Sequence, residues 1–179
     1  DIGRITNDRM ELRLERVNLV RIVRDAIEIS QPLIQRSGHE VSVMAPQPSI
    51  VVEADPARLG QVFSNLVNNA CRYTANKGQI WITIERAGTS AVVTVTDTGI
   101  GIPPEQLSTI FEMFSQVDRT TRPAGGLGIG LHLVKRLVDM HGGQVSAQSD
   151  GPGMGSRFTV RLPALPESVT VDEVATPVS

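Results

Sequence analysis

The clearest apolar pattern in the chain runs from Leu59 through Val62, Phe63, Leu66 and Val67 to Ala70, at i, i+3, i+4, i+7, i+8 and i+11. At about 100° per residue this spacing draws one apolar stripe along a helix. Asp55-Pro56 starts it, with a carboxylate able to accept from unpaired N–H groups and a proline at the first helical position. Asn65, Asn69 and Arg72 fall together beside the stripe, roughly 80–140° from its centre on the same count, while Asn68 points to solvent. A second helix is predicted from a cap at Asn18, with Leu19, Ile22, Val23, Ala26, Ile27, Leu33 and Ile34 on one face and Gly38 closing it. Pro32 lies on the opposite face and should bend it. In a third helix Ile129, Leu133, Val134, Leu137 and Met140 share one arc, and His132, Lys135, Arg136 and Asp139 share the other.

Period-two alternation marks the strands. Residues 10–15 alternate, and residues 40–45 and 50–53 are short candidates separated by Pro46 and Pro48. Residues 79–86 and 91–96 read as adjacent strands, and residues 144–148 and 157–162 as two more. Ala91, Val93, Val95 and Asp97 share a face, so a carboxylate ends an apolar row. A turn-rich loop follows at 97–103, then a short helix at 104–111. Residues 112–126 form a long irregular segment with Phe114, Arg119, Arg122 and several glycines. Loops of that length in a compact domain are usually functional. From Ala164 onward core formers are few, which predicts a disordered tail or linker over 164–179. Helices whose apolar stripes all need one sheet face imply an α+β two-layer sandwich, about three main helices on a mixed sheet of about five strands.

Composition narrows the class. A chain of 179 residues suits one domain. With hydrophobic residues at 40% and charged residues at 20% it reads as soluble and globular, and with aromatics at 3% its core must be aliphatic. Net charge is −2 and no dense basic run occurs, which argues against a nucleic-acid partner. The single cysteine, Cys71, excludes an internal disulfide and a cysteine-rich metal site, and is expected to be an inert buried thiol. No apolar stretch approaches the ~20 residues that span a bilayer, and no signal sequence is visible. No direct membrane contact and a reduced, cytoplasmic setting are therefore expected. A start at Asp1 without Met suggests a fragment of a longer protein.

The most unusual stretch is the run from Gly125 to Gly130, four glycines in six residues feeding the third helix. Glycine costs roughly 0.5–1 kcal/mol against alanine in regular structure, so bare backbone must be needed there. A glycine loop at a helix N-terminus presents unpaired N–H groups and a partial positive charge to a phosphate. The common phosphate loop, G-x-x-x-x-G-K-[ST], is absent, and the dinucleotide fingerprint fails because the glycines here are spaced by single residues. Three segments ask for one explanation: Asn65 and Asn69 on a helix, Asp97-x-Gly99-x-Gly101 after a strand, and Gly126-x-Gly128-x-Gly130 before a helix.

Together these segments resemble the catalytic and ATP-binding domain of sensor histidine kinases, in the superfamily that also holds DNA gyrase, Hsp90 and MutL. The resemblance covers about residues 10–163. Residues 65–74 match the asparagine box, 97–103 the first glycine box, 111–114 the phenylalanine box, 126–131 the second glycine box, and 153–163 a terminal G-x-G-[ST]-x-F-x-x-x-L-P element. The resemblance implies Asn69 as the side-chain ligand of Mg²⁺ with Asn65 nearby, and Arg72 and Tyr73 facing phosphate and nucleoside. Asp97 would accept from the adenine amino group, beside Ile102 and with help from Ser156. Gly99 and Gly101 would let backbone approach the base. Gly126, Leu127, Gly128, Ile129, Gly130 and Leu131 would form a lid over the phosphates, joined by Phe114 and by Arg119 or Arg122. Implied cofactors are ATP and Mg²⁺. The implied partners are a dimerisation and histidine phosphotransfer domain of the same protein and a response regulator receiver domain, with the isolated catalytic domain monomeric.

Two departures refine this expectation. The position four before the metal-binding asparagine is a glutamate in the gyrase and chaperone branches, whereas here it is Asn65, and an amide cannot act as a general base. Slow hydrolysis and transfer to a better nucleophile follow. No phosphate-accepting histidine motif occurs, and residues 1–9 look like the stub of the preceding dimerisation helix; His39, His132 and His141 read as structural or solvated. Two rivals stand beside this reading. One is a non-catalytic nucleotide-binding regulatory domain. The other is an aspartic protease built on Asp97-Thr98-Gly99, which needs a second carboxylate in the same site.

Overall fold

The computed structural model describes residues 11–112 and 128–171. The chain opens with β1 (Glu15–Asn18), α1 (Leu19–Ile29), α2 (Gln31–Ser37), β2 (Glu40–Met44) and β3 (Val51–Ala54). It continues through α3 (Pro56–Arg72), β4 (Gln79–Ala87), β5 (Ser90–Asp97), a 3₁₀ turn (Pro104–Gln106), α4 (Gly128–Met140), β6 (Gln144–Gln148) and β7 (Ser156–Pro163). The main sheet has five strands in the order β2-β4-β5-β7-β6. It is mixed, with β2 parallel to β4 and the other neighbours antiparallel. Register aligns Ile82, Val95 and Phe158 in one row and Ile84, Val93 and Val160 in the next, all buried. Helix α3 packs between α1 and α4 over that face. Its Leu59, Val62, Phe63 and Val67 are fully enclosed, which makes α3 the axis of the core. The expected two-layer α+β sandwich is the architecture observed.

The departures from expectation are local. The strand expected at 10–15 lies instead at Glu15–Asn18, antiparallel to β3 in a small second sheet. Leu14 is 52% exposed, so the alternation before it has no partner face to bury against. The helix expected from 19 to 37 is two helices, broken at Ser30 two residues before Pro32, whose missing N–H cannot extend the first. Asn68 does not face solvent: its Oδ1 accepts from Ser30 Oγ–H at 2.9 Å, because α1 and α2 cover that side of α3. The short helix expected at 104–111 is a 3₁₀ turn at Pro104–Gln106 followed by further i→i+3 turns rather than an α-helix. The expected tail is anchored at its start, with Ala164 N–H on the Thr89 carbonyl and Leu165 N–H on the Val51 carbonyl, both at 2.9 Å.

Two histidines act as joints. His39, buried, accepts from Gly78 N–H through Nδ1 at 3.1 Å and donates from Nε2 to the Cys71 carbonyl at 3.0 Å. His141 donates from Nδ1 to the Leu137 carbonyl at 2.7 Å and accepts from Asp55 N–H through Nε2 at 3.1 Å. Asp55 in turn caps α3 by accepting from Arg58 N–H at 3.2 Å and holds the leading segment by accepting from Arg13 N–H at 3.0 Å. The Arg13 hydrogen bond is the main reason the Asp55 carboxyl titrates below its ordinary value. Burial pushes the Cys71 thiol up to about 11, leaving it protonated and inert as expected.

Candidate functional site

Strand β5 ends at Asp97, whose register partner on β7 is Ser156. The Asp97 carboxylate is 6% exposed. Its Oδ1 accepts from Gly99 N–H at 2.8 Å and Ser156 N–H at 3.3 Å, and its Oδ2 accepts from Ser156 Oγ–H at 2.8 Å. An ionised carboxylate has about four acceptor positions. Among the described residues three are taken, and the one remaining belongs to Oδ2. Burial pushes the Asp97 carboxyl above its ordinary value, while these hydrogen bonds act against that rise.

The loop after Asp97 is held by close backbone packing. A Cβ on Gly99 would strike the Tyr73 carbonyl, and one on Gly101 would strike the Gly151 carbonyl. Gly101 also has φ +74°, which side chains other than glycine rarely adopt. Both glycines thus answer to the fit of neighbouring loops, whatever approach they also allow to a base. The Tyr73 carbonyl is used by Ile100 N–H at 2.9 Å, tying the loop to the end of α3.

Between this loop, α3 and the start of α4 lies a slot whose polar lining is Asn69, Asp97 and Ser156 and whose apolar walls include Ala70, Ile100, Ile102, Ile110, Leu131 and Phe158. Tyr73 and Gly101 complete it. Phe111 braces Phe158 edge-on, centroids 6.1 Å apart. Of the residues expected from sequence, Asn69, Tyr73, Asp97, Gly101, Ile102, Leu131 and Ser156 meet here. Asn69 is 4% exposed, and its Nδ2 has no hydrogen-bond partner among the described residues. Asn65 is displaced by one helical turn, its Nδ2 donating to the Gly130 carbonyl at 3.5 Å and so joining α3 to the first turn of α4. Gly99 sits behind the slot, and Gly128 and Ile129 are placed in α4. Arg72 is exposed at the end of α3 and does not line the slot. Phe114, Arg119, Arg122, Gly126 and Leu127 lie outside the described residues. Ala70, Ile100, Ile110 and Phe158 were missed as lining, since an apolar residue facing a slot carries the same pattern as one facing the core.

A slot with one vacant, buried carboxylate acceptor among apolar walls suits a flat heterocycle bearing a single N–H donor. Comparison with known proteins decides the family. The family model described as "Histidine kinase-, DNA gyrase B-, and HSP90-like ATPase" matches residues 54–166. The chain belongs to this family. Within these ATPases the similarity runs to histidine kinases. The circadian input-output histidine kinase CikA of Synechococcus elongatus is 43% identical over 114 residues, 63% of this chain and 15% of CikA. Full-length ShkA in complex with AMPPNP superposes with a TM-score of 0.77 at 29% identity, over 89% of this chain and 33% of ShkA. Histidine kinase ThkA in complex with response regulator protein TrrA gives 0.75 at 27% identity, over 94% of this chain and 47% of ThkA. The chain thus spans less than half of each. It is an ATP-binding ATPase domain of the histidine kinase type, and among the described residues no helix is long and apolar enough to cross a membrane.

Proposed function

We propose that this chain is the catalytic domain of a sensor histidine kinase, which binds Mg–ATP and passes the γ-phosphoryl group to a histidine on a dimerisation and phosphotransfer domain, for relay to a response regulator. The vacant acceptor position of Asp97 carries the reading. Adenine offers an exocyclic N–H₂ donor at that edge, whereas guanine offers a carbonyl oxygen that would face a carboxylate lone pair. Ile102 and Leu131 supply apolar surface for the ring, and Ser156 holds the carboxylate in place. ShkA's complex with AMPPNP and ThkA's complex with TrrA support the nucleotide and the response regulator as partners. Residues 10–163 would form the domain proper and residues 164–179 a tail or linker tied to it at Ala164 and Leu165, with the whole working in the cytoplasm.

At the phosphate end the chain's own residues divide the work. The first turn of α4 has N–H groups without intrahelical partners, and Asn65 fixes its distance from α3 through Gly130. Asn69 fits the role of an Mg²⁺ ligand: its amide is buried, one end lacks a partner, and a half-turn about χ2 offers oxygen instead of nitrogen at that point. Among the described residues no cluster of three or more His, Cys, Asp or Glu side chains forms a protein cage. An amide oxygen suits a hard cation whose shell phosphate and water complete. When bound, Mg²⁺ neutralises charge developing on the transferring phosphoryl group. Asn65 cannot take a proton from water, so the domain positions its substrate and leaves the nucleophile to a partner.

Calorimetric titration of the 179-residue chain with ATP and with GTP tests the adenine reading. ATP is expected to bind at least about tenfold more tightly, the least that one charged hydrogen bond contributes. Equal affinities would sink it.

A further inference from the structure

Ser149 follows β6 directly and lies upstream of the terminal glycine-rich element that the sequence singles out. Its Oγ stands 2.6 Å from the Gly155 carbonyl and 3.3 Å from the Gly151 carbonyl. It also accepts from Ile102 N–H at 3.0 Å and from Gly151 N–H at 3.2 Å. A hydroxyl has one proton and two lone pairs. The short contact to Gly155 takes the proton, the two N–H groups take the lone pairs, and the group is saturated.

The three partners are not neighbours in function. Ile102 lines the slot, Gly151 faces Gly101, and Gly155 precedes the Ser156 that holds Asp97. Backbone bonds run alongside: Gly153 N–H to the Ile100 carbonyl at 2.6 Å, and Gly155 N–H to the Gly99 carbonyl at 3.0 Å. A Cβ on Gly155, at φ +72°, would strike the Asp97 carbonyl. Two loops about fifty residues apart in sequence are thus pressed into one wall, and a single side-chain hydroxyl bridges them at Ile102.

We infer that Ser149 is a positioning residue for purine binding: its hydroxyl sets the distance between Ile102 at the face of the base and the Ser156–Asp97 pair at its edge. The inference rests on the adenine reading of the slot. Ser149 itself lies outside the slot lining and acts through Ile102 and Ser156. Without it, the N–H of Ile102 and the carbonyl of Gly155 lose a partner and the wall relaxes, which weakens binding at the purine end alone.

The test is calorimetric titration of the intact chain and its variants with ATP, adenosine and tripolyphosphate, well below each unfolding midpoint. Ser149→Ala is expected to weaken ATP and adenosine by the same factor, about tenfold, as for loss of one to two hydrogen bonds' worth of ordering, and to leave tripolyphosphate within about twofold. Ser149→Thr, which keeps the hydroxyl, should restore adenosine binding to within about threefold of the parent. Should Ser149→Ala not fold, Ser149→Cys, with a longer and weaker donor, is expected to give an intermediate loss for adenosine. A lowered unfolding midpoint with adenosine affinity unchanged would overturn the inference, as would a threonine variant as weak as the alanine one. A loss confined to ATP and tripolyphosphate would overturn it too. A parent chain that binds tripolyphosphate but no adenosine would instead overturn the adenine reading, and this inference with it.

Discussion

Asp97→Asn separates what the carboxylate does for the ligand from what it costs the fold. The asparagine Oδ1 can keep the N–H groups of Gly99 and Ser156, and Nδ2 in place of Oδ2 can donate to Ser156 Oγ once that hydroxyl rotates. The fourth position changes sign, because a donor now faces the adenine amino group. Losing a hydrogen bond to a charged acceptor costs about 1.5–3 kcal/mol, or roughly 10- to 150-fold in Kd at 25 °C. The stability effect runs the other way. Burial raises the Asp97 carboxyl, so the folded state holds that proton more tightly than the unfolded chain. Stability therefore falls as pH rises from the ordinary carboxylate value through the raised one, and the ionised group is a standing cost above it. Asparagine removes that cost. At pH 8 the variant should unfold at the same temperature as the parent or higher, and the difference should shrink as pH falls below the raised value. Calorimetric ATP titration beside thermal unfolding over a series of pH values from acid up to pH 8 reads both arms. A variant that keeps ATP affinity within about threefold, well under the loss of such a bond, refutes the role given to the vacant acceptor. A variant markedly less stable than the parent at pH 8 refutes the account of its burial.

Other sites give independent checks. Asp55→Ala should cost about 1–2 kcal/mol in urea unfolding at pH 7, through loss of the α3 cap together with the Arg13 contact. The Asp55 carboxyl is lowered, so its contribution is present above the ordinary carboxylate value and lost as pH falls through the folded one; parent and variant should converge in strong acid, opposite to Asp97. Gly60→Ala, in the interior of α3 with open space around the new Cβ, should raise stability by about 0.5–1 kcal/mol in the same assay. Gly99→Ala should lower both stability and ATP affinity, because its Cβ meets the Tyr73 carbonyl. Asn69→Ala should remove the Mg²⁺ dependence of ATP affinity in titrations with and without the metal, while adenosine binding is retained.

How much of this was legible in the sequence depended on whether a pattern had one cause. Helix α3 was legible because its stripe packs along its whole length, and so was the place of Asp97 at the end of a buried strand face, though not its partner Ser156 on β7. The strand at 10–15 was misplaced because alternation reports a potential face and not the presence of β3 opposite it. Ile110 and Phe158 look like core in sequence and are core on one side, with the slot on the other. The glycines of the 97–103 loop were recognised, but the Tyr73 and Gly151 carbonyls that require them come from remote segments. Ser149 gave no local signal at all, since its partners are main-chain groups of residues 102, 151 and 155.

On this reading the domain hands a phosphoryl group to a protein histidine rather than merely holding nucleotide. Incubating the chain with γ-labelled ATP, Mg²⁺ and a separately supplied dimerisation and phosphotransfer fragment tests it most directly. Acid-labile, base-stable label on the fragment's histidine is expected, with little free phosphate released and with labelling at limiting ATP reduced at least about tenfold by Asp97→Asn in the chain. ATP binding without any transfer would contradict it and leave a nucleotide-binding regulatory domain in its place.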